Sequence, residues 1–255
     1  MKCIGAVATD KGIIKTVNED SACLKIAETS DGMTIAMAVV CDGMGGLSKG
    51  ELASATVIRR FVKWFDEDLS ENWDSLLLQD FGGQWNHIIR EQNDLIKEYS
   101  KKQDEAIGTT VSGLLIIGDK YVIAHVGDSR IYEITNDVKQ LTKDHSLMQR
   151  EIEQGRLTEE EAENDPRRGV LLQCVGASKV VEPQILFGDI KKNTTFVLCT
   201  DGFRHVLDEK EMYRTLSPGS LGDVADIYRK ENNLIDMIKS RNERDNITVV
   251  ALKCM

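Results

Sequence analysis

Residues 33–46 read MTIAMAVVCDGMGG, an apolar run rich in β-branched residues that stops at Asp42 beside glycine. A short run of this kind, closed by a turn signal, predicts a buried or half-buried strand. The same signature recurs far away in the chain. AHVGDSR places Asp128 after the run Tyr121–Val126, VLCTDG places Asp201 after Thr195–Cys199, and RDNITVV starts the run Ile247–Leu252 just behind Asp245. An isolated Asp-Gly is ordinarily a turn. Asp at the ends of four separate runs instead fits rigid strands delivering oxygen ligands to a hard cation such as Mg2+ or Mn2+, with glycine letting backbone carbonyls approach. Asn18-Glu19-Asp20 adds two further acids.

Working outward, Val111–Ile117 reads as another strand. Helical period marks two long segments, one through Leu52, Ile58, Phe61, Val62 and Phe65, the next through Trp85, Ile88, Ile89, Leu95, Ile96 and Tyr99. Capping-box starts stand at Thr158 with Glu161 and at Asp208 with Glu211, and a further helix is expected to begin near Ser220. Strands fall in clusters with helices bunched between them, which predicts an α+β fold in one domain over residues 1–255. Residues 136–180, with Asp165-Pro166 and Arg167-Arg168, read as an excursion over a surface.

Composition narrows the function. A chain of 255 residues with 41% hydrophobic and 29% charged residues is a folded domain, and no apolar run is long enough to span a bilayer. With no basic, apolar leader at residues 1–10, a cytoplasmic location is expected. The net charge of -10 argues against nucleic acid and anionic membranes as partners. The six cysteines form no CxxC and predict reduced, mostly buried thiols. A dinucleotide fingerprint starting at Gly43 meets Ser48 where its last glycine belongs, and a P-loop starting at Gly45 meets Glu51 instead of lysine. His87, His125, His145 and His205 fit no zinc-protease spacing and read as structural.

Taken together, TDKGIIKTVNED (9–20), CDGMGG (41–46), GTT (108–110), VGDSRIY (126–132), LTKDHS (141–146), PRRGVLLQCVG (166–176), CTDG (199–202) and RDNIT (244–248) resemble the metal-dependent serine/threonine protein phosphatases of the PPM family (type 2C), in particular the compact bacterial members. The resemblance runs end to end. It implies an αββα sandwich, two central antiparallel sheets flanked by helix pairs, with a flap near residues 146–170. It implies two tightly held Mn2+ or Mg2+ ions, Asp42 bridging them, the Gly43 carbonyl on one, Asp201 and Asp245 on the other, and Asp20 acting through water. Asp128 matches the acid of a third, weaker ion.

The activity so implied is hydrolysis of phosphoserine and phosphothreonine on proteins by a metal-bridged water, opposing a Ser/Thr kinase that is itself among the expected phosphoprotein partners. Two residues depart from the family pattern. Lys15 stands where the family carries its phosphate-gripping Arg, keeping the charge and losing the bidentate fork. Leu47 stands where bacterial relatives commonly carry His. These departures motivate an alternative, a catalytically weak pseudophosphatase that binds phosphoproteins as a regulatory module. A nucleotide-binding oxidoreductase is the remaining, weaker reading.

Overall fold

The computed structural model describes residues 1–45, 49–69 and 76–255. One antiparallel sheet has the order β1 (Cys3–Asp10), β12 (Ile247–Cys254), β11 (Thr194–Cys199), β8 (Arg130–Ile134), β9 (Val138–Gln140). The other runs β10 (Gln184–Asp189), β7 (Lys120–Val126), β6 (Val111–Ile117), β3 (Thr34–Cys41), β2 (Ser21–Glu28), and a small ribbon pairs β4 (Gly43–Gly45) with β5 (Ile107–Thr109). Helices α1 (Gly50–Lys63), continued by a π-helical turn at Trp64–Asp68, and α2 (Leu78–Gln103) cover the second sheet. Helices α6 (Glu209–Leu216) and α7 (Val224–Ser240) cover the first, giving the expected helix–sheet–sheet–helix layering.

Strand alternation sorts side chains into separate cores. In β3, Ile35, Met37, Val39 and Cys41 pack under the helices with Val57, Phe61 and Trp85. Ala36, Ala38 and Val40 face the gap between the sheets, against Leu114, Phe196, Val250 and Leu252. β12 repeats this, with Val249 and Ala251 under Ile227 and Ile238 while Val250, Leu252 and Cys254 face inward. Burial on both faces is why these strands are unbroken apolar runs. Trp85 stands edge-on to Phe61 and Trp64, with centroids 4.9 and 5.5 Å away. It lies directly on the sheet at Gly113, where a Cβ would come within 2.8 Å of the indole. Leu52, Leu95 and Tyr99, which share the helical period, turn to solvent.

Both expected capping boxes form, at Thr158–Glu161 and Asp208–Glu211. The last helix begins just beyond Ser220, at Val224. Its cap is Asp223, whose carboxylate accepts from Asp226 N at 2.8 Å, while the Ser220 hydroxyl is engaged with the Arg214 carbonyl in the preceding turn. Residues 146–170 carry α3 (Leu147–Glu153) and α4 (Glu159–Glu163). This excursion is tied at its base by Leu147 N to Val170 O at 2.8 Å and Leu172 N to His145 O at 2.7 Å.

Candidate metal centre

In an antiparallel pair the end of one strand lies beside the start of its neighbour, and this register gathers the acids. Cys41 pairs with Ser21, so Asp42 and Asp20 emerge side by side. Cys199 pairs with Arg130, which brings together Asp201, the first residue of the short helix α5 (Asp201–Arg204), and Asp128. Asp10 lies opposite Ile247, so Asp245 and the loop carrying Lys15 share the same edge. The sheets are joined there by the Thr200 hydroxyl, which donates to Asp20 Oδ2 at 2.8 Å.

These carboxylates sense one another. Burial, then the charges of Asp20, Asp201, Asp128 and Asp245, hold the Asp42 carboxyl well above its ordinary range. Burial pushes Asp20 up to about 7 against hydrogen bonds from Thr248 and Thr200, with Asp201 and Asp245 adding to the rise. Asp128 reaches about 7 for the same reasons, burial first and Asp201 next, with Arg204 opposing. Asp20 Oδ1 and Asp201 Oδ1 are buried without a hydrogen-bond partner. The nearby ammonium of Lys15 lies 2.7 Å from Asp245 Oδ1. Burial alone would lower its pKa, but contact with Asp245 and the charges of Glu19 and Asp42 raise it.

Among the described residues no group of three or more His, Cys, Asp and Glu is drawn together to cage an ion unaided. A hard cation that keeps several waters needs only one or two direct carboxylates. The all-oxygen donor set, its mutual repulsion and its unpartnered oxygens therefore fit Mg2+ or Mn2+ ions. Close backbone approach is built in as well: a Cβ on Gly43 would overlap the Glu19 and Gly50 carbonyls, and one on Gly202 would overlap the Asn246 carbonyl.

Several residues of this edge escaped the sequence reading. The Asp42 backbone is fixed by Thr110, whose hydroxyl accepts from Asp42 N at 2.9 Å, and by Thr109, whose hydroxyl donates to Asp42 O at 2.9 Å. Asn246 accepts from Glu19 N at 2.9 Å and donates to the Lys11 and Val17 carbonyls, which shapes the Lys15 loop. Each lies inside a quoted motif, and Asn246 also stands next to Asp245, so motif membership was the available signal. Behind Asp128 the pattern differs. Arg130 binds Asp144 through Nε–Oδ1 at 2.9 Å and Nη2–Oδ2 at 2.8 Å. His205, read as structural, stands 3.4 Å from Asp201 and 3.5 Å from Glu243. His125 is buried and pulled down to about 3 by desolvation, hydrogen-bonded to Ser112 and the Lys143 carbonyl. Leu47 lies outside the described residues.

The family model described as Protein phosphatase 2C matches residues 14–237. The chain is 33% identical over 253 residues to the serine/threonine phosphatase stp of Listeria innocua, covering 96% of this chain and 93% of that one. A serine/threonine phosphatase structure from S. agalactiae is similar with a TM-score of 0.83 and 28% identity over 100% of both chains. The catalytic domain of PstP in complex with 2 manganese ions gives a TM-score of 0.79 at 26% identity, covering 98% of this chain and 97% of that one.

Proposed function

The chain belongs to the protein phosphatase 2C family of metal-dependent serine/threonine phosphatases, and from that premise we propose that residues 1–255 form one catalytic domain that hydrolyses phosphoserine and phosphothreonine on proteins with Mg2+ or Mn2+. Asp42, the Gly43 carbonyl, Asp201 and Asp245 would hold a pair of ions, with Asp20 acting through water, and Asp128 would hold a third, weaker ion. When bound, such ions supply a water ionised near neutral pH and positive charge for the phosphoryl oxygens. Thr200 keeps Asp20 aimed into the site, and Thr109 with Thr110 locks the backbone of Asp42. Lys15 exchanges Asp245 for a phosphoryl oxygen of the substrate, as a point charge in place of a bidentate fork. The enzyme acts in the cytoplasm against the products of a Ser/Thr kinase. Among the described residues no helix is long and apolar enough to cross a membrane.

The observation that carries this reading is the crowding of Asp20, Asp42, Asp201 and Asp245 at one edge with buried, unpartnered oxygens on Asp20 and Asp201. Hydrolysis of a phosphothreonine peptide with Mn2+, Mg2+ or chelator tests it, and full turnover in chelator would reject it. The contact of Lys15 with Asp245 favours a second reading, a weak enzyme retained for binding phosphoproteins. Tight phosphopeptide binding without turnover at saturating Mn2+ would select that reading.

A further inference from the structure

At the end of the β1–β12 ladder remote from Asp245, Cys3 and Cys254 face each other. Lys2 and Met255 exchange both backbone hydrogen bonds, at 3.1 and 2.8 Å. The next pair, Cys3 with Cys254, is therefore a non-hydrogen-bonded pair, in which Cα atoms approach to about 4.5 Å and side chains come closest. That separation lies within the roughly 4.4–6.8 Å that a disulfide spans. The two sulfurs are 2.6 Å apart, both as free, buried thiols. We propose that Cys3 and Cys254 form an oxidisable dithiol site, which a low-molecular-weight disulfide converts into a covalent bond joining β1 to β12.

β1 is an edge strand, so its first residues can open by fraying without disturbing the sheet behind them. The Sγ–H of Cys254 lowers the Cys3 pKa against the effect of burial, which makes Cys3 the attacking thiolate. Cys3 attacks one sulfur of the small disulfide and expels a thiolate. Cys254 then attacks the Cys3 sulfur of the mixed disulfide and expels the second thiolate, and the two cysteine protons end on the two released thiols. The product closes a loop spanning a sequence separation of 251 residues, and longer loops restrain the unfolded state more.

The test is incubation of the whole chain with oxidised glutathione, read by intact mass, peptide mapping and thermal melting. The expected result is loss of two hydrogens, a peptide linking residues 3 and 254, and a melting temperature raised by about 5–10 °C, all reversed by dithiothreitol. Cys3→Ser and, separately, Cys254→Ser should show neither link nor shift. A stable glutathione adduct without the link, a link through other cysteines, or no reaction of the folded wild type would overturn the proposal.

A second cluster carries an inference that rests on the function proposed above. Arg204 Nη2 lies 3.2 Å from the Asp128 carbonyl oxygen, 3.9 Å from Asp128 Oδ2 and 3.6 Å from Asp144 Oδ2, with its Nε buried and unpartnered. Asp128 and Asp144 thus face the guanidinium groups of Arg204 and Arg130, whereas Asp245 has the ammonium of Lys15 and Asp201 the imidazole of His205. We infer that Arg204 sets how weakly Asp128 holds a divalent cation, because an ion arriving there competes with a counter-charge fixed by the fold.

Calorimetric titration with Mn2+ tests this. Arg204→Gln keeps a donor for the Asp128 carbonyl and removes the charge, so the low-affinity binding should tighten about tenfold with the tight binding unchanged. Arg204→Lys should stay near wild type, and in an Asp128→Asn background Arg204→Gln should change nothing. Unchanged or weaker low-affinity binding in a folded Arg204→Gln, or an effect that survives in Asp128→Asn, would overturn the inference. Absence of any Mn2+ binding by the wild type would instead reject the metal-dependent reading itself.

Discussion

Asp144 and Asp42 stand at the same edge of the sandwich in contrasting company. Asp144 receives a two-pronged grip from Arg130 and a second guanidinium from Arg204 at 3.6 Å. Asp42 is surrounded by Asp20, Asp201, Asp128 and Asp245. Burying a carboxylate is costly unless its charge is met. The fold meets it at Asp144 with its own cations, which ties β8 to the base of the 146–170 excursion. At Asp42 it leaves the charge to be met from outside, and that is the mark of a binding site. Glu231, on α7, follows neither course. One of its oxygens accepts from Ala251 N at 2.8 Å, the other has no partner, and burial raises its pKa to about 8, so it keeps its proton.

The largest effect should come from the side where the carboxylates crowd together. Asp201→Asn and Asp245→Asn are each expected to lower kcat on the order of 10^3-fold, because each removes a charged oxygen from a hard-cation site. Melting in chelator should move the other way for Asp42→Asn, a gain of about 1 kcal/mol from relieved like-charge repulsion. Equal turnover of both catalytic variants and wild type at saturating Mn2+ would erase the contrast with Asp144.

On the compensated side the expected effect is on stability. Arg130→Leu leaves buried Asp144 with less than its share of positive charge and should cost about 3 kcal/mol in urea denaturation. An unchanged denaturation midpoint would mean that the Arg130–Asp144 grip is not what holds that edge together.

Glu231 sharpens the comparison through pH. Its folded pKa, about 8, lies above the ordinary 4.5, so between these values the folded state binds the extra proton and stability falls as pH rises. Glu231→Gln should therefore match wild type below pH 4.5 and exceed it by about 2–4 kcal/mol at pH 8. Parallel stability curves for the two proteins across that window would show that Glu231 is not held neutral. The smallest effect is expected at Lys15. Lys15→Arg should raise kcat/KM on phosphopeptides a few-fold by restoring a planar fork, and Lys15→Ala should lower it about tenfold. If Lys15→Ala matched wild type, the ammonium on Asp245 would have no part in holding phosphate.

The α+β class and the edge acids were readable from the chain because both are written locally, whereas the layering of the sheets came only with the family resemblance. A buried strand is an apolar run, a glycine marks where backbone must pass close by, and Asp42, Asp128, Asp201 and Asp245 follow or precede such runs directly. The capping boxes at Thr158 and Asp208 are local in the same sense. Ser220 shows the limit of that reading, since a serine and an aspartate three residues apart are both good caps and the competing hydrogen bond to Arg214 O decided between them. Pairing over long distance was not readable at all. That Thr200 would hold Asp20, that Arg204 would stand between Asp128 and Asp144, that Glu231 would be buried against Ala251, and that Cys3 would meet Cys254 all depend on strand register and layer packing. Sequence by itself determined which residues carry charge and where strands end. Only the tertiary structure decided which of those charges are answered within the fold, because the energy of a buried charge depends on what stands a few ångströms away in space.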